Sequence, residues 1–213
     1  MIKPHGSDEL NPLFVSDTDE RNALQAEAET LPSILLNSAA AANAVMLGGG
    51  YFNPLTGYMD LADSLSVAEK MSTVDGLFFP VPIVNLTMET GVKVGSRIAL
   101  RDPNVAGAPV LAVMDVTAVE LVSDEQMAFM SDKIFRTDDN KHPGVATFNS
   151  IGQTLLSGPI KVLNFSYFKT DFPDTFRTAV EIRNEITEHG WERVVAFQTR
   201  NPMHRAHEEL CRM

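Results

Sequence analysis

The stretch ERVVAFQTRNPMHRAHEEL, residues 192–210, is written in the order strand, loop, helix, and that order decides the fold class. Val194, Val195, Ala196 and Phe197 predict a short strand buried on both faces. Gln198 to Asn201 then fall where a parallel strand hands over to its loop, the edge at which open α/β sheets bind ligands. Pro202 suits the first position of a helix, with Asn201 as its N-cap. A helix starting there would turn its free N–H groups and the positive end of its dipole toward the same crevice, an arrangement that favours anions. Arg200 would add a forked donor matched to a tetrahedral oxyanion. His204 and His207, three residues apart, share one face of that helix. Two imidazoles beside an arginine suit a polyphosphate better than a cation.

Each of these residues also has a plainer reading. A His-x-x-His pair taken alone is more often surface filler or hydrogen-bonded structure than a site. A zinc protease pattern is excluded, because it needs histidines four apart with Glu after the first, whereas Arg205 follows His204 here. Glu208 and Glu209 read as a solvated helix face, and Cys211 as a small core residue with nothing nearby to lower its pKa. For Arg205, solvent, a salt bridge and a ligand stand as equal alternatives.

Outward from this stretch, DFPDTFRTAVEIRNEITEHGW predicts a helix capped by Asp174, carrying Phe176, Val180 and Ile186 at roughly helical spacing and stopped by Gly190. Helix, strand, loop and helix together belong to an α/β fold with a parallel sheet, and a domain boundary is expected near residue 168. The middle of the chain is different. FFPVPIVNLTM, SRIALRD and VLAVMDVTAVELV, within residues 77–122, are short runs separated by turn residues, the pattern of a small β-barrel or meander. Two prolines demote the first run to an edge strand or extended segment. SDEQMAFMSDKIF predicts a helix capped by Ser123, and RTDDNKHPGV an exposed loop. Near the N-terminus, a helix is expected over Asp17–Leu36 with an interruption at Pro32. Behind it lies an alanine-rich helix, Ser38–Leu47, ended by glycine, and then YFNPLTGYMD as a structured loop.

Composition excludes several classes. With 213 residues and 44% hydrophobic content the chain can bury a core. A net charge of −11 argues against a nucleic-acid surface, so an anionic ligand needs a local cluster of donors. Cys211 is the one cysteine, which forbids an internal disulfide and fits a reducing, cytoplasmic location. MIKPHGSDEL lacks the basic start and apolar core of a signal peptide, and no apolar run is long enough to cross a bilayer.

QTRNPMHRAHEEL, residues 198–210, resembles the signature of the ATP sulfurylases, or sulfate adenylyltransferases. FNPLTGYM, from Phe52 to Met59, is similar to the family's Pro-Leu-x-Gly-Phe-Met segment, with Tyr58 in place of phenylalanine. FFPVPIVNL resembles the Trp-Pro-Ile-Pro strand, with Phe79 at the tryptophan position. TDDNKHPGV and the Gly-Pro-x-x-Val-Leu segment at Gly158 also match. The resemblance implies an α/β protein overall, with a β-rich (α+β) PUA-like domain over residues 1–168 and the start of a Rossmann-like nucleotidyltransferase domain over residues 169–213.

The reaction it implies joins sulfate to ATP, giving adenosine 5′-phosphosulfate (APS) and pyrophosphate reversibly, with Mg2+ accompanying ATP and no metal ligated by the protein. Carried over by position, Gln198 and Arg200 bind sulfate, and Thr199, Arg200 and Asn201 form the catalytic loop. Gln198, Asn201, His204 and His207 contact the ATP phosphates. A homo-oligomer is expected, with neither nucleic acid nor membrane as partner. The family's second nucleotide element, Gly-Arg-Asp-His-Ala, is absent here; Arg101-Asp102 reads as a turn before Pro103. The expectation is therefore the N-terminal portion of such an enzyme, incomplete and inactive by itself. The alternative is a non-catalytic PUA-like binding or scaffold module whose C-terminal tail is frayed or docked on another chain.

Overall fold

The computed structural model describes residues 2–199 and 201–213. Its elements start where a short polar side chain can take up a free amide. The Asp17 carboxylate accepts the Glu20 N–H at 2.8 Å and opens α1, Thr18–Ala28, with Asp19 and Glu20 favoured by the positive end of the dipole. This helix stops well short of Leu36. Beyond Pro32 the chain is instead a strand, β1, Ser33–Leu35, whose Ile34 is buried while its neighbours are exposed. Asn37 then caps α2, Ser38–Gly48, accepting the Ala40 N–H at 2.9 Å.

The expected loop YFNPLTGYMD does contain turns, but Gly57–Tyr58 pair as β2, and Asp60 caps an unanticipated helix, α3, Leu61–Lys70. Of the proline-bearing run only Leu86–Thr87 becomes a strand, β3, because proline has no N–H to give a ladder. β4, Arg97–Arg101, β5, Val110–Asp115, and β6, Ala118–Leu121, come after it. α4, Asp124–Phe135, carries the capping box in which Ser123 and Gln126 satisfy each other's backbone amides. RTDDNKHPGV is only partly a loop, since His142 caps and Pro143 opens α5, Pro143–Ser150. β7, Thr154–Val162, comes next, then the short α6, Phe168–Asp171. The next helix, α7, Ala179–Glu188, is capped by Thr178 in a box with Glu181, not by Asp174. The last helix is α8, Arg205–Arg212.

β7 organises the sheet, pairing antiparallel with β2, β3, β5 and β6, while β1 joins the far side parallel to β4. Side chains alternate across β4 and β5. Ile98, Leu100, Ala112 and Met114 point to one face, where α2 lies, and Ala99 and Val113 to the other, where α1 supplies Leu24 and Ala28. Ala40, Ala41 and Ala44 let α2 approach the sheet closely, and a Cβ on Gly48 would lie 2.8 Å from Val162 Cγ1. α3 and α4 cover the far end of β7, with Met127 and Met130 against Leu86 and Leu155.

One surface ion pair makes a testable difference. Arg97 grips Asp115 across β4 and β5 with two hydrogen bonds, Nε to Oδ1 at 2.6 Å and Nη2 to Oδ2 at 3.1 Å. Hydrogen bonding from Arg97 holds the Asp115 carboxyl below the usual aspartate range. A depressed folded-state pKa gives stability that is present above the unfolded-state value and lost as pH falls through the folded one. The melting temperature should therefore drop below about pH 4, and Asp115→Asn should flatten that slope at a neutral-pH cost under about 1 kcal/mol, because the pair is half exposed. An unchanged acid slope in the variant would reject the assignment.

Candidate functional site

The strand expected at Val194–Phe197 is not formed. These residues are extended and solvent-exposed, Val195 to 92%, and no strand among the described residues pairs with them. A parallel strand needs neighbours on both edges and helices on both faces, and all seven strands among the described residues belong to the sheet built around β7.

The loop after it has a defined local form. The Thr199 hydroxyl accepts the Asn201 N–H at 3.1 Å and donates to the Asn201 carbonyl at 3.1 Å. These two bonds tie the Thr199 side chain to the Asn201 backbone. Arg200, expected to serve both sulfate and catalysis, lies outside the described residues. Gln198 and Asn201 are both exposed.

The cap of α8 is displaced from its expected place. Asn201 does not cap the helix and Pro202 precedes it; His204 occupies the cap position in an extended conformation, with no side-chain cap bond. Its carbonyl accepts the His207 N–H at 2.9 Å and the Glu208 N–H at 3.1 Å. The Arg205 and Ala206 amides, first in the helix, have no intrahelical acceptor and face outward as donors. Ending the helix at Arg205 brings the two imidazoles together: the His204 and His207 rings stack with centroids 3.9 Å apart and 25° between planes. The Phe197 ring also meets His207, with centroids 5.5 Å apart. This contact is not legible in the sequence, where Phe197 counts only as part of a buried strand. His207 Nδ1 is shielded from solvent without a hydrogen-bond partner among the described residues.

The charges around the pair are also settled. Arg212 takes Glu208 and Glu209 as ion partners, at i,i+4 and i,i+3. Arg205 is exposed and makes no ion pair among the described residues, and Cys211 is exposed too, not a core residue. Among the described residues, no three His, Cys, Asp or Glu side chains gather as a metal site. Gln198, Thr199, Asn201, His204 and His207 thus lie on one loop and helix start, a set of amide, hydroxyl and imidazole groups without a carboxylate. Such a set can donate to, and stabilise, a multiply charged anion.

The PUA-like domain family matches residues 2–165, and the ATP-sulfurylase family matches residues 173–213. Three curated relatives named sulfate adenylyltransferase cover 100% of the chain. The protein of Allochromatium vinosum is 66% identical, that of Alcanivorax borkumensis 63%, and that of the Riftia pachyptila sulfur-oxidizing endosymbiont 62%. The chain covers 54%, 53% and 48% of them, so it spans about half the length of the curated relatives it matches. Among solved structures, the hexameric APS kinase from Thiobacillus denitrificans is similar with a TM-score of 0.74 at 28% identity, over 99% of this chain and 36% of that one. The chain belongs to the PUA-like domain family, whose match spans residues 2–165, and its residues 173–213 are similar to the ATP-sulfurylase family.

Proposed function

We propose that the complete protein is a sulfate adenylyltransferase, a nucleotidyltransferase that converts ATP and sulfate to APS and pyrophosphate and runs the same step backwards. The observation that carries this reading is the identity of 62% or more to sulfate adenylyltransferases over the whole chain, a span that includes the Gln198–Asn201 loop and α8. Residues 1–168 form the PUA-like domain in this reading, and 169–213 open a Rossmann-like catalytic domain whose remaining strands flank Val194–Phe197. The enzyme works in the cytoplasm as a homo-oligomer, an assembly in keeping with the hexamer of its structural relative.

A sulfate oxygen attacks the α-phosphorus in line, an S–O–P bond forms, and the bond to pyrophosphate breaks. Sulfate is already ionised at neutral pH, so no general base is required, and positioning with charge stabilisation carries the rate. Gln198 and Arg200 hold sulfate, and Thr199, Arg200 and Asn201 surround the reacting centre, a reading supported by the two hydrogen bonds between the Thr199 hydroxyl and the Asn201 backbone. Gln198 and Asn201 also meet the ATP phosphates. His204 and His207, stacked on one face, donate to the phosphate chain and stabilise the charge that builds up as pyrophosphate leaves. Magnesium enters as part of the MgATP substrate, where it neutralises phosphate charge.

The test is ATP formation from APS and pyrophosphate, measured for the complete polypeptide and for residues 1–213 side by side. Turnover is expected only from the complete polypeptide, and equal turnover from residues 1–213 would overturn the division of the site between this chain and the residues beyond it. The scaffold-module reading rests on the exposure of residues 191–199. It predicts that limited proteolysis near Phe168 leaves a stable core and a degraded tail while the complete polypeptide stays inactive.

A further inference from the structure

The run Gly48-Gly49-Gly50-Tyr51 does more than end α2. Gly48 presses on Val162 of the sheet, Gly50 turns the chain at φ +80°, and Gly49 leaves room for the Tyr51 ring, which a Cβ there would meet at 3.1 Å. The surface so formed receives the start of α7. The Gly49 carbonyl accepts the Ala179 N–H at 2.9 Å, and the Tyr51 hydroxyl donates to the Arg177 carbonyl at 2.6 Å. Burial, and after it the Glu181 carboxylate, pushes the Tyr51 phenol above its ordinary pKa, which keeps the hydroxyl a donor.

These bonds hold the turn through which the sheet-bearing body can aim the chain beyond residue 178. The capping box of Thr178 with Glu181 and the Arg177–Glu185 pair, at 2.6 Å, make the first two turns of α7 rigid around the docked end. Beyond Arg183, which reaches back to the Ile2 carbonyl, the hydrogen bonds among the described residues are local, and residues 191–199 lie exposed. Among the described residues, the hydrogen bonds that tie the chain beyond Phe176 to the sheet-bearing body are those of the glycine-tyrosine socket and of Arg183.

We propose that Tyr51 is a positioning residue for the reaction, acting through α7 on the placement of the Gln198–His207 segment; this rests on the sulfate adenylyltransferase reading. The phenol touches neither substrate. Its hydrogen bond fixes the origin of the helix, and an error in origin becomes an error in where the anion-holding loop meets the rest of the site.

The test uses Tyr51→Phe, which keeps the ring over Gly49 and deletes only the hydroxyl, in the complete polypeptide. Hydrogen exchange of the Ala179–Glu185 amides should quicken about fivefold, the worth of one net hydrogen bond, while β4 and β5 amides stay as slow as in the parent. kcat for ATP formation from APS and pyrophosphate should fall roughly tenfold with both KM values within about twofold, since ligands still bind but are misaligned. Gly49→Ala, which pushes the ring away, should move both readouts the same way. Faster exchange with unchanged kcat would overturn the positioning role and leave an ordinary structural contact. Unchanged exchange would overturn the socket itself. If the unsubstituted polypeptide lacks turnover while the exchange effect appears, the functional reading fails and the positioning role with it, but the socket stands.

Discussion

His207→Ala in the complete polypeptide is expected to lower kcat/KM for ATP formation from APS and pyrophosphate by about 10²- to 10³-fold, the usual cost of removing one donor that meets developing charge. The ring is poised for such a role by its surroundings. Phe197 lies 5.5 Å from it and His204 stacks on it at 3.9 Å, and neither Glu208 nor Glu209 competes, because Arg212 holds both. The effect should be confined to chemistry. Among the described residues α8 adds nothing to the buried clusters around the sheet, so the melting temperature of the variant should stay within about 2 °C of the parent. His204→Ala should show a comparable loss, and the double variant should lose less than the product of the two, as groups acting on one phosphate chain do. A fall of less than about threefold in either single variant would remove that imidazole from the phosphates.

The largest expected effect on stability lies at Gly158, in the middle of β7. Its φ is +143°, a conformation that L side chains rarely adopt, and a Cβ there would sit 2.1 Å from the Asp115 carbonyl oxygen and 2.9 Å from the Thr117 N–H. The two backbones cannot separate cheaply. On the other side the approach is as close, since a Cβ on Gly57 would come within 1.9 Å of the Gly158 carbonyl. Gly158→Ala should therefore cost about 3 kcal/mol or more, seen as a fall of about 10 °C in melting temperature. Gly91→Ala, with open space around the new methyl, gives the comparison and should be neutral or slightly stabilising. Equal melting temperatures for the two variants would contradict the close packing of Gly158 against Asp115 and Thr117.

Legibility in the sequence depends on the range of the forces involved. Caps are local chemistry, and Ser123 is legible because its partner Gln126 is three residues away. The same rule misplaces the cap of α7: Asp174 has the right side chain, but Thr178 has both the side chain and a Glu181 to complete the box. β1 is hidden because Pro32 reads as a break in a helix; the parallel pairing with β4 that makes it a strand lies far away in the chain. α3 is hidden by the turn residues just before it. β7 is the most consequential omission, since a strand buried along most of its length shows no alternation, and Gly158-Pro159 inside it reads as a turn.

At the functional end the residue types are legible and the geometry is not. The sequence places both histidines on one helical face, whereas the structure has His204 ahead of the helix as its cap and stacks the rings directly. Val194–Phe197 carries the pattern of a buried strand, but strands are made by neighbours, and a local apolar run cannot say whether they are present.

The place of β7 in the chain also sets a timetable. β2, β3 and β6 have their ladder partner in Thr154–Val162, and Gly57 must wait for Pro159. As the polypeptide leaves the ribosome from its N-terminus, these earlier segments emerge with their amides unmatched until residue 162 is out, and then the sheet closes around one late arrival. A ribosome stalled before Thr154 would present apolar, unpaired strands to the cell, the kind of nascent chain that chaperones hold.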